Sequence, residues 1–315
     1  MKIFRNWQNL PASACGASLA LGNFDGVHLG HAAVLRAAHA ARPGAPLGVL
    51  TFEPHPRGYF RPQDPPFRLT LAAERAAALA ALGVELLYEL PFDAAFSHIS
   101  AADFCAQVLH RGLGAVQLAC GADFAFGHRR GGDIGLLTAQ AEALGIGVSI
   151  VPPVADAQGP ISSTRIRRLL QEGYPDRAAL LLGRAHTIRG EVIHGDARGR
   201  TIGFPTANIP LGEHLEPARG VYAVTARLPG GQSVEGVANI GQRPTVGGIE
   251  PRLEAHLFDF TGDLYGQELS VALHEFIREE QKFENFAALQ AQIARDALTA
   301  RRCLTGRRIP PNPTP

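Results

Sequence analysis

Short, continuously apolar runs alternate with longer helix-spaced stretches through the first half of the chain. The runs at residues 18–21, 47–52, 84–90, 115–120 and 147–151 have strand length, and their continuity is the pattern of strands buried on both faces. Between them, residues 31–41, 71–82, 101–112 and 134–144 carry helical spacing, several of them rich in alanine, a strong helix former. Strand and helix in alternation predict a parallel sheet covered by helices on both sides. In such sheets a ligand sits beyond the carboxyl ends of the strands, so the loops that follow the strands are where chemistry is expected.

The texture changes near residue 183. Residues 161–183 read as two short helices, and glycine-punctuated strands then follow with no helices between them, at 220–228, 233–240, 252–258 and 268–276. Turns are expected at residues 229–231 and 247–248. This predicts a small antiparallel β-barrel. A closing helix spans residues 286–304, with Leu289, Ile293 and Leu304 on one apolar stripe. The proline-rich end is expected to be disordered. The predicted division is a first domain over residues 1–184, a second over 185–306 and a tail over 307–315, with no internal repeat.

Composition supports two domains: 315 residues, 46% hydrophobic and 19% charged, can bury two cores. A formal net charge of +1 argues against nucleic acid or a membrane surface as partner. Small molecules are the expected partners, and the sequence leaves a homo-oligomer open. Lys2 and Lys282 are the only lysines, so cationic binding falls to arginine, whose planar fork suits phosphate oxygens. Cys15, Cys105, Cys120 and Cys303 are scattered, without a CxxC pair or zinc-like spacing, and read as idle thiols in a reducing compartment. No leader-type apolar segment and no run of roughly 18 apolar residues is present, so a cytoplasmic location is expected.

The densest chemical signal is GNFDGVHLGH, residues 22–31, which begins where the first strand ends and runs into the first long helix. Its backbone N–H groups and the positive helix end face the place where an anion would sit. His28 and His31 share one face of the first turn, and glycines let a triphosphate approach closely. The plain alternative is a strand–helix turn with two surface histidines. ISSTRIRRLL, residues 161–170, offers a second such start: Ser162, Ser163 or Thr164 caps it, and Arg165, with Arg167, projects from its first turn. TFEPHP (51–56) and GADFAFGHRRGGD (121–133) follow strands, the latter with Asp123, Arg129, Arg130 and aromatic rings. In the second half, GRTIGFPTANI (199–209), preceded by Gly190 and Gly195, permits a phosphate-enclosing loop, with Gly203 inside it. Thr206 and Asn208, two apart in an extended strand, point the same way and supply hard oxygens for Mg²⁺ on ATP. The loop lacks the GKS or GKT ending of a Walker A motif. Glu254, whose neighbours Leu253 and Ala255 face the other side of the sheet, is the candidate base for a phosphoryl acceptor, or else a solvated strand carboxylate.

Together and in this order, these segments resemble the bacterial bifunctional riboflavin kinase/FAD synthetase family, from about residue 18 to residue 303. GVYAV at Gly220, GVANIGQRPTV at Gly236, LEAHLFDF at Leu253 and DLYGQ at Asp263 extend the likeness. The resemblance implies a Rossmann-like nucleotidyltransferase domain that joins FMN to AMP from ATP, releasing pyrophosphate, and a kinase barrel that first makes FMN from riboflavin. It implies that His28 and His31 contact the ATP phosphates and that Gly22, Asn23, Phe24 and Asp25 belong to the same ATP-binding segment. Asn23 and Asp123 help form the FMN pocket by the same analogy, and Ser163, Thr164 and Arg165 fall in a triphosphate-binding segment. In the kinase half it implies Gly203, Thr206 and Asn208 for Mg²⁺-ATP and Glu254 as general base. Riboflavin, FMN, FAD and ATP are then the partners. Two rivals differ from this: an adenylyltransferase with another acceptor, such as pantetheine phosphate or a nicotinamide nucleotide, and a flavin-binding protein without turnover.

Overall fold

The computed structural model describes residues 1–195, 203–245 and 248–305. Two compact units divide them: residues 1–64 with 72–161, and residues 65–71 with 162–305. The expected turn residue Gly247, the first part of the 199–209 loop and the expected disordered tail lie outside the described residues.

The first unit is a six-stranded parallel sheet. Its strands are β1 (Lys2–Phe4), β2 (Ser18–Leu21), β3 (Leu47–Glu53), β4 (Leu86–Pro91), β5 (Gln117–Gly121) and β6 (Gly147–Val151), in the order β1-β4-β3-β2-β5-β6. The helices are α1 (Leu29–Ala41), α2 (Pro56–Phe60), α3 (Ala72–Ala81), α4 (Ala94–Ser97), α5 (Ala101–Asp103) and α6 (Ile134–Ala143), with α5 continued by a π-helical stretch, Phe104–Gly112. A two-strand ribbon, β7 (Ala155–Asp156) with β8 (Gly159–Pro160), follows β6. Successive residues of β2 enter different cores: Leu19 and Leu21 pack with Phe104, Val108 and Leu137, whereas Ala20 packs with Val34, Leu35 and Leu79. Burial on both faces is what its unbroken apolar sequence requires. The three-residue edge strand β1, paired to β4, was not anticipated; it is too short and too exposed to leave a pattern.

An ion cluster joins α3 to the carboxyl-terminal halves of β3 and β4. Arg75 of α3 is fully enclosed, and its Nη2 donates to Glu53 Oε2 and to Glu89 Oε2, each at 2.9 Å. Glu89 also lies 3.6 Å from Arg5. A charge at 0% exposure is tolerable only with such partners.

The second unit is a barrel of antiparallel strands with helices. It holds α7 (Ser163–Gln171), α8 (Pro175–Leu182), β9 (His186–Glu191), β10 (Ala207–Pro210), β11 (Gly220–Arg227), β12 (Ser233–Thr245), β13 (Gly248–Leu257), β14 (Glu268–Glu279) and the closing helix α9 (Phe286–Leu304). The order is β10-β13-β12-β11-β14-β9, and a bridge between Ile193 and Asn208 brings the two ends together. Tyr222, Val224, Ala238, Ile240, Leu253 and Ala255 fill the interior. On the outer face Val221, Ala223 and Val237 receive Ala300 and Leu304 of α9. The buried stripe of α9 is set partly by Asp296, which accepts a two-pronged bond from Arg278 at 2.7–3.1 Å. Leu289 and Ile293, expected to lead that stripe, are only half-buried.

The unit boundary falls earlier than residue 184. α7 and α8 pack within the second unit, where Ala218 N–H bonds to Leu170 O at 2.9 Å and α8 lies against β14 and β9. Residues 65–71 join them: Leu215 N–H donates to Arg68 O at 2.8 Å, and Arg167 Nε donates to Phe67 O at 2.8 Å. Sequence order alone does not reveal such an insertion.

Candidate active sites

In the first unit the chain runs from β2 to β3 on one side and from β5 to β6 on the other, so the crevice of the sheet opens between β2 and β5. The loops of both signature segments end there. Leaving β2, the backbone is held by Gly22 N–H to Leu50 O at 3.3 Å and by Thr51 Oγ1 donating to Asn23 O at 3.0 Å. Phe24 and Val27 adopt φ of 52° and 43°, left-handed conformations that cost about 1–3 kcal/mol each for such residues and persist where surroundings enforce them. The Phe24 ring is buried and packs 4.9 Å from the ring of His31. Asp25 is buried inside the loop and Asn23 is exposed.

His28 is the N-cap of α1, and His31 stands at its third helical position. His31 N–H donates to His28 Nδ1 at 3.3 Å and His28 N–H donates to His31 Nδ1 at 3.2 Å, a capping box built from two imidazoles. The rings stack with centroids 3.7 Å apart. Because each Nδ1 accepts, each neutral ring carries its proton on Nε2, so both histidines are donors on that side. A Cβ on Gly30 would lie 2.9 Å from His28 Cε1, so glycine is needed for this ring to lie over the helix start.

Asp123 follows β5 and is exposed, on the same crevice edge. Arg129 and Arg130 are exposed with φ of 53° and 58°. A wall of aromatic rings, which the sequence reading did not assemble, rises beside these loops. Phe52 at the end of β3 meets Phe96 at 5.1 Å and Phe92 at 5.5 Å, and Tyr59 and the exposed Phe60 of α2 meet Phe92 at 5.4 and 5.6 Å. These rings come from three separate segments, so no single motif carries the signal.

In the second unit, Ser162 proves to be the cap of α7: its Oγ accepts from Arg165 N–H at 3.2 Å. Ser163 and Thr164 occupy the first two helical positions, where their N–H groups contribute to the positive helix end. Arg167 Nε donates to Phe67 O at 2.8 Å, and its guanidinium lies 5.4 Å from the centroid of the Phe67 ring.

On the barrel, Asn208 of β10 pairs with Glu254 of β13, and Glu254 pairs in turn with Asn239 of β12. The three side chains therefore share the outer face, since Leu253 and Ala255 fill the interior. Asn208 is buried; its Nδ2 donates to Thr206 O at 3.3 Å, and its Oδ1 has no partner among the described residues. A Cβ on Gly195 would lie 2.6 Å from the Asn208 amide, so that glycine shapes the place where the amide sits. Thr206 is half-buried and Gly203 is exposed with φ of 81°. A buried carbonyl oxygen with no partner among the described residues, on a face shared with a carboxylate and two residues from a threonine, suits a hard cation. No group of three or more His, Cys, Asp or Glu side chains fit for a metal occurs among the described residues, so phosphate oxygens and water would complete its shell.

Residues 10–165 match the family described as FAD synthetase, and residues 182–304 match the family described as riboflavin kinase. A bifunctional riboflavin kinase/FMN adenylyltransferase of Escherichia coli K12 is 42% identical over 304 residues, covering 96% of this chain and 97% of that protein. The protein of the same description from Bacillus subtilis 168 is 38% identical, with 88% and 89% covered. A crystal structure from Streptococcus pneumoniae, described as a macrolide-efflux protein, superposes with a TM-score of 0.85 at 35% identity, covering 95% of this chain and 98% of that one. Among the described residues here no helix is long and apolar enough to cross a membrane. By identity across nearly its whole length, the chain belongs to the bifunctional riboflavin kinase/FMN adenylyltransferase family.

Proposed function

We propose that this protein phosphorylates riboflavin with ATP to give FMN, and then transfers AMP from a second ATP to FMN, giving FAD and pyrophosphate. The observation that carries this proposal is that each family match contains its own cluster of candidate residues: the mutually capped histidines in one unit and the Asn208–Glu254 pair in the other.

In the kinase step Glu254 accepts the proton of the terminal ribityl hydroxyl as its oxygen attacks the γ-phosphorus, and ADP leaves. Asn208 Oδ1 and the Thr206 hydroxyl would hold Mg²⁺, which when bound neutralises charge on the ATP phosphates. Gly203 lies in the loop proposed to enclose those phosphates.

In the adenylyl step the FMN phosphate attacks the α-phosphorus and pyrophosphate leaves, with no enzyme nucleophile. Alignment and charge stabilisation supply the acceleration. His28 and His31 donate from Nε2 to oxygens on which charge grows, beside the N–H groups that begin α1. Gly22, Asn23, Phe24 and Asp25 shape the nucleotide loop, and Asn23 and Asp123 border the FMN pocket. Ser163, Thr164 and Arg165 are proposed as a second phosphate-binding helix start. The aromatic wall around Phe52 and Phe92 suits a flat flavin ring. A cytoplasmic setting belongs to the proposal, supported by four cysteines that are all free thiols.

The test is incubation with riboflavin, Mg²⁺ and ATP, followed by chromatographic separation of FMN from FAD. Both products are expected in succession; absence of both overturns the proposal. An adenylyltransferase with another acceptor would leave riboflavin untouched, and a flavin-binding protein would retain it unchanged.

A further inference from the structure

On the outer face of the barrel, Glu254 has two in-register neighbours of different character. On one side stands Asn208, with the buried, unpartnered Oδ1 described above. On the other stands Asn239, whose Nδ2 donates to Glu280 Oε1 at 3.3 Å. Neighbouring strands lie about 4.8 Å apart, so Asn208 and Asn239 each stand one strand spacing from Glu254 on the same face. The Asn239–Glu280 contact depends on Gly241: a Cβ there would lie 2.3 Å from Glu280 Oε1 and 3.0 Å from Asn239 Nδ2. Glu280, just past β14, thus reaches β12 over a residue that has no side chain to block it.

The atoms this arrangement leaves over are mostly acceptors. Asn239 and Glu280 have no other partner among the described residues, so the Asn239 Oδ1 and the second Glu280 oxygen remain available. Acceptors backed by a negative charge repel a polyphosphate and welcome hydroxyl donors. The two flanks of Glu254 are therefore chemically distinct. The Asn208 flank suits the metal-bound nucleotide, the Asn239 flank suits a neutral polyol, and the carboxylate that takes the proton lies between them.

We propose that Asn239 and Glu280 form the subsite for the ribityl chain of riboflavin, and so determine which alcohol is presented to Glu254. This rests on the kinase reading of Glu254. It names a substrate contact for Asn239, to which the GVANIGQRPTV segment gave no role, and for Glu280, which lies outside the quoted motifs.

The test uses the full chain carrying Asn239→Ala or Glu280→Gln, with adenylylation of added FMN as an internal control of folding. The Michaelis constant for riboflavin is expected to rise at least about tenfold, since a site built for a hydroxyl loses its partner, while that for ATP changes less than about twofold. A flavin analogue lacking one ribityl hydroxyl should bind the wild type more weakly and lose less on mutation than riboflavin does. An unchanged Michaelis constant for riboflavin in both variants, or a rise confined to ATP, overturns the proposal. Riboflavin affinity is also read directly by quenching of its fluorescence. Weaker binding by the variants supports the subsite and equal binding refutes it, even where turnover is too low to measure. Riboflavin binding without phosphorylation by the wild type would sink the kinase reading alone and leave the subsite to be decided by those titrations.

Discussion

His28 and His31 each accept the other's backbone N–H at ring atom Nδ1, so the residues that start α1 are also the residues proposed to grip the nucleotide. The cap and the proposed phosphate donors are the same pair of rings. His28→Ala should therefore lower FAD formation by roughly 10²- to 10³-fold, with a stability cost of about 1 kcal/mol from the lost cap. FMN formation from riboflavin should persist. Separate assays of the two steps, with thermal unfolding alongside, check this; joint loss of both activities in a folded variant would argue against independent sites.

Glu254→Gln should produce the reverse pattern. It keeps the shape and removes the proposed proton acceptor, so conversion of riboflavin should fall by about 10²- to 10⁴-fold while added FMN still becomes FAD. Quantifying both flavins by chromatography decides it.

Gly195→Ala tests how the Asn208 amide is placed. The new methyl would lie 2.6 Å from that amide, and φ at this glycine is not left-handed, so the effect comes through crowding alone. The expected outcome is a raised Mg²⁺ and ATP requirement in the kinase step, with adenylylation unaffected. A magnesium titration at fixed riboflavin reads it.

Much of this was legible in the chain, for identifiable reasons. β2 is found at its expected bounds because a doubly buried strand must be apolar throughout, and α9 spans the expected residues because a long amphipathic helix repeats its signal. The histidine pair and Asn208 were visible because glycines and polar side chains crowd into short segments there. What was hidden depends on contacts between distant segments. Arg75, Glu53 and Glu89 look like ordinary charged positions until they are buried together. Asn239 becomes interesting only when the register sets it opposite Glu254. The place of α7 and α8 follows from packing, which a change in local texture does not report.

Arg75→Met should destabilise the first unit by about 3–5 kcal/mol, because two carboxylates are left without their shared cation. Replacing Glu89 with Gln in the same chain should recover part of the loss, as one stranded charge disappears. Chemical denaturation of the single and double variants checks the sign and the coupling.

Burial pushes the thiols of Cys105 and Cys120 up to about 11, with Asp123 adding to the effect at Cys120. At pH 8 both stay protonated, so they should resist alkylation in the folded protein and react once it is unfolded. Their folded values lie above the unfolded one near 9, so this stabilising contribution is intact below pH 9 and fades as pH rises towards 11. Mass spectrometry after iodoacetamide treatment, with and without denaturant, reports the first effect, and an alkaline unfolding series reports the second.

The excursion of residues 65–71 into the second unit means that the backbone passes between the units three times, near residues 65, 72 and 162. No single scission can then liberate an intact C-terminal unit. A fragment beginning at residue 185 would be a barrel shorn of α7, α8 and the segment that meets Leu215. Gene fusion or fission that respected only the two family-matched ranges would inherit that deficit.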